Sequence, residues 1–409
     1  MKMKRIIALV MAAVMVFSLT ACSQETGGAQ DAADSGEETQ SAADSGEEAQ
    51  PAADSEESTI SKEAGHFKIG TIDMGSADAT SAPLLNQLRT TVEAMGCEYV
   101  TATASDMSAE TIIAAYQNLI AAGCDGVIVT YGQVSADTMA QMFDDAGVLW
   151  STYWYHFVEG TDEYEAVMNS ETFVSSTYED DVNSAYWAAS ELGKKGCKKL
   201  CMIGLPAGGA TANMRDEGIK KACEEYGMEI LAEERDISLT ISSAGGATIT
   251  ERFLTAYPEC DGILIAGMTQ FVLAGVVQTL EQSGKVGTIP ISGIDFNEYQ
   301  FDYFDRSALN SIIGGHFCGP TYSAILMINQ LNGTPLTTDK VQIENMFIEL
   351  NDPAEVQKYA DWLENNGTIY SADEISKCLV ANNPDFTYDD LIEMANAYCL
   401  DDLLARHGN

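Results

Sequence analysis

Between Cys260 and Phe296 the chain changes its hydrophobic period twice, and this limits what it can fold into. Asp261-Gly262 leads into Ile263–Ala266, an apolar run with the length and β-branching of a buried strand. From Thr269 the spacing becomes helical, with Val272, Gly275, Val276, Thr279 and Leu280 on one face. Ser283-Gly284 stops that helix, and Ile289–Ile294 forms a second strand that ends at Asp295. Two parallel strands joined in this way need a right-handed crossover, which sets the loops after both strands on one edge of the sheet. That edge is where open α/β sheets bind ligands.

The same unit recurs upstream. Phe67–Asp73 reads as a strand, followed by a helix from about Ala82 to Met95 and a strand over Glu98–Thr103. Ser108 is placed to cap a helix that carries Ile112, Ile113, Tyr116, Leu119 and Ile120 on one face. Asp125–Thr130, a helix to Ala146, Val148–Tyr153 and Thr172–Ser176 complete a first block. A second block has a helix through Tyr186–Leu192, the strand Leu200–Gly204, a helix bearing Ile219, Ala222, Cys223 and Tyr226, and the unit above. About 345 residues of alternating β and α exceed one ordinary core, so two parallel-sheet lobes are expected.

The start of the chain has a different character. Lys2, Lys4 and Arg5 precede the apolar run Ile6–Leu19, which ends in Leu19-Thr20-Ala21-Cys22. This is short for a bilayer span and fits a secretory signal. The small residues before Cys22 resemble the lipobox of bacterial lipoproteins, which implies lipidation of Cys22. A near-repeat of Ala-Ala-Asp-Ser-Gly-Glu-Glu then recurs every ten residues over 32–58, with nothing to bury, and is expected to be a disordered acidic tether.

The whole chain carries −41; residues 1–22 hold +3 and residues 23–63 hold −11, which leaves −33 on the rest. Nucleic acid and anionic membrane surfaces are therefore poor partners, and membrane contact is expected through the lipid anchor alone. The basic cluster Lys194, Lys195, Lys198 and Lys199 is read as complementing a helix end. Ten cysteines leave nine once Cys22 is lipidated, with no Cys-x-x-Cys pair, which fits neither a disulfide framework nor a zinc site. They read as small buried hydrophobes, with some disulfide pairing left open.

Catalytic motifs are missing. There is no His-Glu-x-x-His, no Gly-x-Ser-x-Gly and only four histidines. The Gly-rich turn Gly204–Thr211 has Ala210 where a phosphate-binding loop needs Lys, so no nucleotide, other cofactor or metal is expected.

In order and spacing, the strand Lys68–Asp73, Ala121–Thr130, Arg215–Cys223 after the Gly-rich turn, Leu273–Gly284 and Ser292–Phe296 resemble the type 1 periplasmic binding proteins of the ribose- and galactose-binding kind. The resemblance spans about Phe67 to Ile348. It implies an α/β fold of two Rossmann-like lobes joined by a three-stranded hinge. The expected division is a signal peptide (1–22), a linker (23–65), a first lobe (66–175 plus about 298–338), a second lobe (176–297 plus about 339–350) and a helical C-terminal extension (351–409), in which Tyr359, Trp362 and Leu363 are placed to pack on the body.

The function implied is a non-enzymatic, monomeric, extracytoplasmic solute-binding lipoprotein that hands a sugar-like ligand to an ABC transporter permease. A binding protein that presents its ligand to a sensor or chemoreceptor, and a cell-surface α/β enzyme, are the alternatives. Carried over by position, the ligand-facing loops hold Asp73 and Met74, Tyr131 and Gln133, then Tyr153, Trp154, Tyr155 and His156. The second lobe offers Asn213, Thr269, Gln270 and Asp295, and His316 with Gly315 takes the place of a ligand-binding Gln. That last position and Thr269-Gln270 depart from the sugar binders. Arg215 is read as structural, paired with nearby acids.

Overall fold

A computed structural model describes residues 66–73, 81–106, 108–129, 134–297 and 300–406. The signal-like segment with Cys22, the acidic repeats, and Met74, Tyr131 and Gln133 lie outside these residues. No helix among the described residues is long and apolar enough to cross a membrane.

The elements run β1 (Lys68–Ile72), α1 (Ser81–Ala94), β2 (Glu98–Ala102), α2 (Ala109–Ala121), β3 (Gly126–Val129), α3 (Ala136–Ala146), β4 (Leu149–Tyr153), α4 (Asp162–Asn169), β5 (Phe173–Glu179) and α5 (Asp181–Lys194). Next come β6 (Lys199–Ile203), α6 (Ala210–Tyr226), β7 (Glu229–Glu234), α7 (Ile237–Thr240), α8 (Ser243–Ala256), β8 (Gly262–Ile265), α9 (Thr269–Gln282), β9 (Ile291–Ile294), α10 (Gln300–Asp305) and β10 (Ser311–Gly314). The chain ends with α11 (Gly319–Leu331), β11 (Val341–Asn345), β12 (Ile348–Leu350), α12 (Pro353–Asn365), α13 (Ala372–Ser376), α14 (Tyr388–Ala397) and α15 (Leu400–Arg406). As expected, Ser108 caps α2, its side chain accepting from the Thr111 amide.

Two six-stranded sheets result, ordered β11-β5-β4-β3-β1-β2 and β12-β10-β9-β8-β6-β7. The first is parallel throughout, and the second is parallel except for β12 against β10. Each repeats the doubly wound order in which the direction of growth reverses between the first strand and the third (β1 and β3, β6 and β8), the arrangement that opens a crevice at the carboxyl ends. The lobes therefore each carry the ligand edge inferred from Cys260–Phe296.

The crossings between sheets differ from the expected boundaries. Residues 176–179 stay in the first sheet, because β5 continues to Glu179 alongside β11. β10 remains in the second sheet, paired with β9, although 298–338 was assigned to the first lobe. β11 belongs to the first sheet, so that of 339–350 only β12 is a strand of the second. The chain thus crosses at Asp180, at Gly315–Cys318 and at Met346-Phe347. Helix α11, buried around nearly its whole circumference, lies against β4, β5 and α1 of the first lobe.

The C-terminal extension touches both lobes. In α12, the Tyr359 ring lies 5.1 Å from Phe296 and 6.0 Å from Phe301, both of the second lobe. Beyond it, the amides of Ile369 and Tyr370 donate to Gln87 Oε1 of α1 at 2.7 and 3.0 Å. The hydroxyls of Tyr370 and Tyr322 share a hydrogen bond of 2.9 Å. Asn329 Nδ2 donates to the Cys378 carbonyl while its Oδ1 accepts from the Val380 amide, each at 2.9 Å. Tyr359 and Trp362 are buried as expected, whereas Leu363 is exposed. All nine described cysteines are free thiols, and seven of them are buried.

Candidate functional site

Four non-glycine residues have positive φ among those described, and three follow strands on the predicted edge: Trp154 (67°) after β4, Met268 (63°) after β8 and Asp295 (81°) after β9. Such backbone costs of order 1–3 kcal/mol per residue and persists where the surroundings enforce it, most often at functional sites. Two of these turns brace each other. The Met268 amide donates to Asp295 Oδ2 at 3.2 Å, and the Asp295 amide donates to the Ile313 carbonyl of β10 at 2.8 Å.

Around Asp295 gathers a buried charged group that spans the crossing at Asp180. Glu179 ends β5 and Asp181 begins α5. Arg215 of α6 donates through Nε to Asp181 Oδ1 at 2.7 Å and through Nη1 to the Ala266 carbonyl at 3.0 Å. Gly267 permits this approach, since its φ of 145° suits glycine and a Cβ there would stand 2.8 Å from Arg215 Nη1. Burial alone would lower the guanidinium, but Asp181, Asp295 and Glu179 more than offset it and hold it charged. Burial pushes the Asp181 carboxyl up, and Arg215 works against that rise. Glu179 is pushed well above the carboxylate range by burial first, then by Asp181 and Asp295, with Arg215 opposing.

Aromatic rings wall this group. Trp154 meets His316 edge-on with centroids 5.7 Å apart, and His316 meets Phe347 at 4.8 Å. His156 stacks on Tyr178 at 4.3 Å. His316 is driven down to about 4 by burial, which Asp295 opposes and Arg215 reinforces, so its ring is neutral at pH 7. Buried polar atoms without a hydrogen-bond partner concentrate here: Trp154 Nε1, His156 Nδ1, Thr177 Oγ1, Glu179 Oε1, His316 Nδ1 and Asn345 Oδ1, with Gln270 Oε1 at the head of α9. Such atoms are rare in folded proteins and costly, at about 1–3 kcal/mol each.

The residues expected from sequence fall into three groups. Trp154, Asp295 and His316 join the charged group, and His156 and Gln270 stand on the same edge. Asp73 is half-buried at the end of β1, its amide bonded to Ala102 across the sheet, and Asn213 is exposed on α6, two residues before Arg215. The others are committed elsewhere. Tyr153 is buried in the core and backs Trp154 edge-on at 4.8 Å. Tyr155 turns into the first lobe, where it lines a cavity of about 270 Å³ with Ser135, Met139, Phe157 and Glu163. Thr269 is fully buried, its hydroxyl donating to the Ile294 carbonyl, so it locks the start of α9 onto β9. Strand alternation accounts for Tyr153 and Tyr155, and the left-handed Met268 turn for Thr269. Sequence reasoning missed Glu179, Asp181, Thr177 and Asn345; a run of three acids at the end of a strand, Glu179-Asp180-Asp181, was the available signal. Among the described residues no group of three His, Cys, Asp or Glu side chains is arranged to hold a metal ion.

A family model described as a periplasmic binding protein domain matches residues 76–334. No curated protein sequence matches the chain significantly. Among solved structures, a periplasmic sugar-binding protein from Pseudomonas fluorescens is similar with a TM-score of 0.66 and 14% identity, covering 83% of this chain and 99% of its own. A periplasmic solute-binding protein of an ABC transporter from Actinobacillus succinogenes, with bound D-allose, has a TM-score of 0.61 and 18% identity, covering 72% of this chain and 100% of its own. One from Bacillus halodurans with bound myo-inositol gives 0.57 and 19%, covering 73% and 99%. These likenesses concern the fold.

Proposed function

The chain belongs to the periplasmic binding protein domain family, a family of binding proteins rather than enzymes, and from that premise we propose that it is an extracytoplasmic solute-binding lipoprotein. It captures one small polar, sugar-like molecule between its lobes and delivers it to an ABC importer. The carrying observation is the cluster of unpartnered buried polar atoms on Trp154, Thr177, Glu179, His316 and Asn345, gathered where the chain crosses between lobes. A ligand rich in hydrogen-bond donors satisfies the acceptors Glu179, Gln270 and Asn345, while the Trp154 ring offers an apolar face. The structures with bound D-allose and myo-inositol support a polyhydroxylated ligand. Cys22 anchors the protein, and the acidic repeats space it from the membrane.

Solution scattering and thermal melting test this reading together. A solute trapped by closure of the lobes shrinks the radius of gyration and stabilises the protein by about 2.7 kcal/mol at a hundredfold excess over Kd. A panel of D-allose, D-galactose, D-ribose and myo-inositol in which none moves either quantity counts against a sugar-like solute.

A further inference from the structure

The proposed solute site is short of positive charge. Five ionisable groups act on one another around Asp295: Glu179, Asp181, Arg215, Asp295 itself and His316, drawn from β5, α5, α6, the turn after β9 and the crossing after β10. His316 is neutral, and Arg215 is engaged by Asp181 at 2.7 Å. Beyond that pair, Asp295 and Glu179 feel Arg215 only through its field, and neither has an ion pair of its own among the described residues. Glu179 is 7% exposed and its Oε1 has no partner; His316, 5% exposed, has an unpartnered Nδ1. On the opposite face of β5 and β11 stand Asp180, Tyr178 and Glu344, whose mutual influence is again acidic.

We propose that the solute carries one positive charge, an amine on a polyhydroxylated frame, and that Glu179 together with Asp295 reads that charge. This rests on the solute-binding reading above and narrows it. A buried carboxylate without a cation costs several kcal/mol, so enclosing a neutral sugar against Asp295 leaves a charge that an ammonium group removes. The ammonium presents N–H donors where Glu179 Oε1 lacks one. The Trp154 ring at the rim adds a face that attracts cations. A single negative charge on the ligand meets the reverse: two carboxyls and no free guanidinium.

Calorimetry of the full chain at pH 7 with matched probes decides the point: D-glucosamine and D-galactosamine against D-glucose and D-galactose. The amino sugars are expected to bind at least tenfold tighter than their parents. Glu179→Gln, which keeps the size and hydrogen-bonding shape, should cut that preference to threefold or less. Circular dichroism and a melting curve establish that the variant is folded. Parent sugars that bind as tightly as the amino sugars overturn the charge inference while the solute-binding reading stands. Amino sugars that fail to bind, or a preference that survives Glu179→Gln, overturn it as well, and the scattering experiment then judges the broader reading separately.

Discussion

Arg215 Nε donates to Asp181 Oδ1 at 2.7 Å, joining α6 to the first residue of α5, and both side chains are buried. The carboxylate sits at a helix N-terminus, where the peptide dipoles favour it, and the guanidinium spends a second donor on the Ala266 carbonyl. The pair therefore ties α6 to the start of α5 and to the end of β8. Arg215→Ala strips the cation from Asp181 and from the nearby Asp295, and breaking a buried pair from one side costs about 3–5 kcal/mol. Chemical denaturation should show a loss of that size. The double variant Arg215→Ala/Asp181→Ala should recover part of it; full additivity of the two single losses would mean that the two residues do not act as a pair.

His316 and Glu179 give the protein opposite pH responses. His316 falls from its ordinary value of 6.5 to about 4 in the folded state, so between those values the unfolded chain binds the extra proton. Its contribution to stability is complete above pH 6.5 and is lost as pH falls toward 4, amounting to about 3 kcal/mol. Glu179 is raised above 4.5, so the folded state holds the extra proton; its contribution is present below pH 4.5 and is lost as pH rises toward its folded value. Melting temperatures followed from pH 4 to 8 should therefore lose their rising limb in His316→Asn and gain stability at the alkaline end in Glu179→Gln. Parallel profiles for wild type and both variants would refute these assignments.

The lobes were legible because their central strands are apolar runs: Gly126–Val129, Gly262–Ile265 and Ile291–Ile294 are buried along their whole length. β5 is buried too, yet its interior is Ser175, Ser176 and Thr177, with the Ser175 and Ser176 hydroxyls bonded to Ser151 and Thr152 in the sheet and that of Ser175 also to Ser323 of α11. Polar satisfaction of that kind leaves no hydrophobic period, so the strand is expected three residues short and Glu179 falls out of view. β7, Glu-Ile-Leu-Ala-Glu-Glu, is a half-exposed edge strand whose charges mask it in the same way. Trp154 and Asp295 were visible because the strand-end rule needs only the last apolar residue. Thr177 and Asn345 come together through pairing of strands far apart in sequence, which no local pattern encodes.

The C-terminal extension acts as a fourth connection between the lobes. Its α12 stands on Phe296 and Phe301 of the second lobe, and its later residues hang on Gln87 and Asn329 of the first, with the Tyr398 hydroxyl bonded to the Gly315 carbonyl at a crossing. Opening the lobes must strain one of these attachments. Tyr359→Ala removes a buried ring, a change that costs about 3–5 kcal/mol in well-packed cores. Gln87→Ala removes the acceptor shared by the Ile369 and Tyr370 amides, a loss of about 1–3 kcal/mol. Each variant should enlarge the ligand-free radius of gyration while the ligand-bound value stays at that of wild type. Ligand-free scattering identical to wild type in both would show that the extension does not restrain opening.

Anchoring is a separate matter of the N-terminal segment. If Cys22 is lipidated, the protein should enter the detergent phase of a phase-partition assay, and Cys22→Ser should move it to the aqueous phase or leave the precursor unprocessed. Since one acyl chain gives only marginal attachment, stable partitioning requires more than one chain on that residue. Mass spectrometry of the mature N-terminus reads the modification directly, and an unmodified terminus beyond Cys22 would exclude a lipoprotein.

Asp295 offers the sharpest single substitution because its backbone and its charge can be separated. At φ 81° it occupies a region that Asn tolerates nearly as well as Asp, whereas Ala does so with strain. Asp295→Asn therefore keeps the turn and an acceptor for the Met268 amide while removing the charge. Asp295→Ala loses all three. For the ligand, truncation leaves a donor unpaired in a closed cleft, costing about 1–3 kcal/mol, which is roughly tenfold to a hundredfold in Kd. Melting should drop further for Ala than for Asn, since only Ala strains the turn and abandons Met268. Calorimetry with whichever sugar or amino sugar binds the wild type should rank affinity as wild type, then Asn, then Ala. Unchanged affinity in the Ala variant would place the ligand elsewhere than on the Asp295 edge.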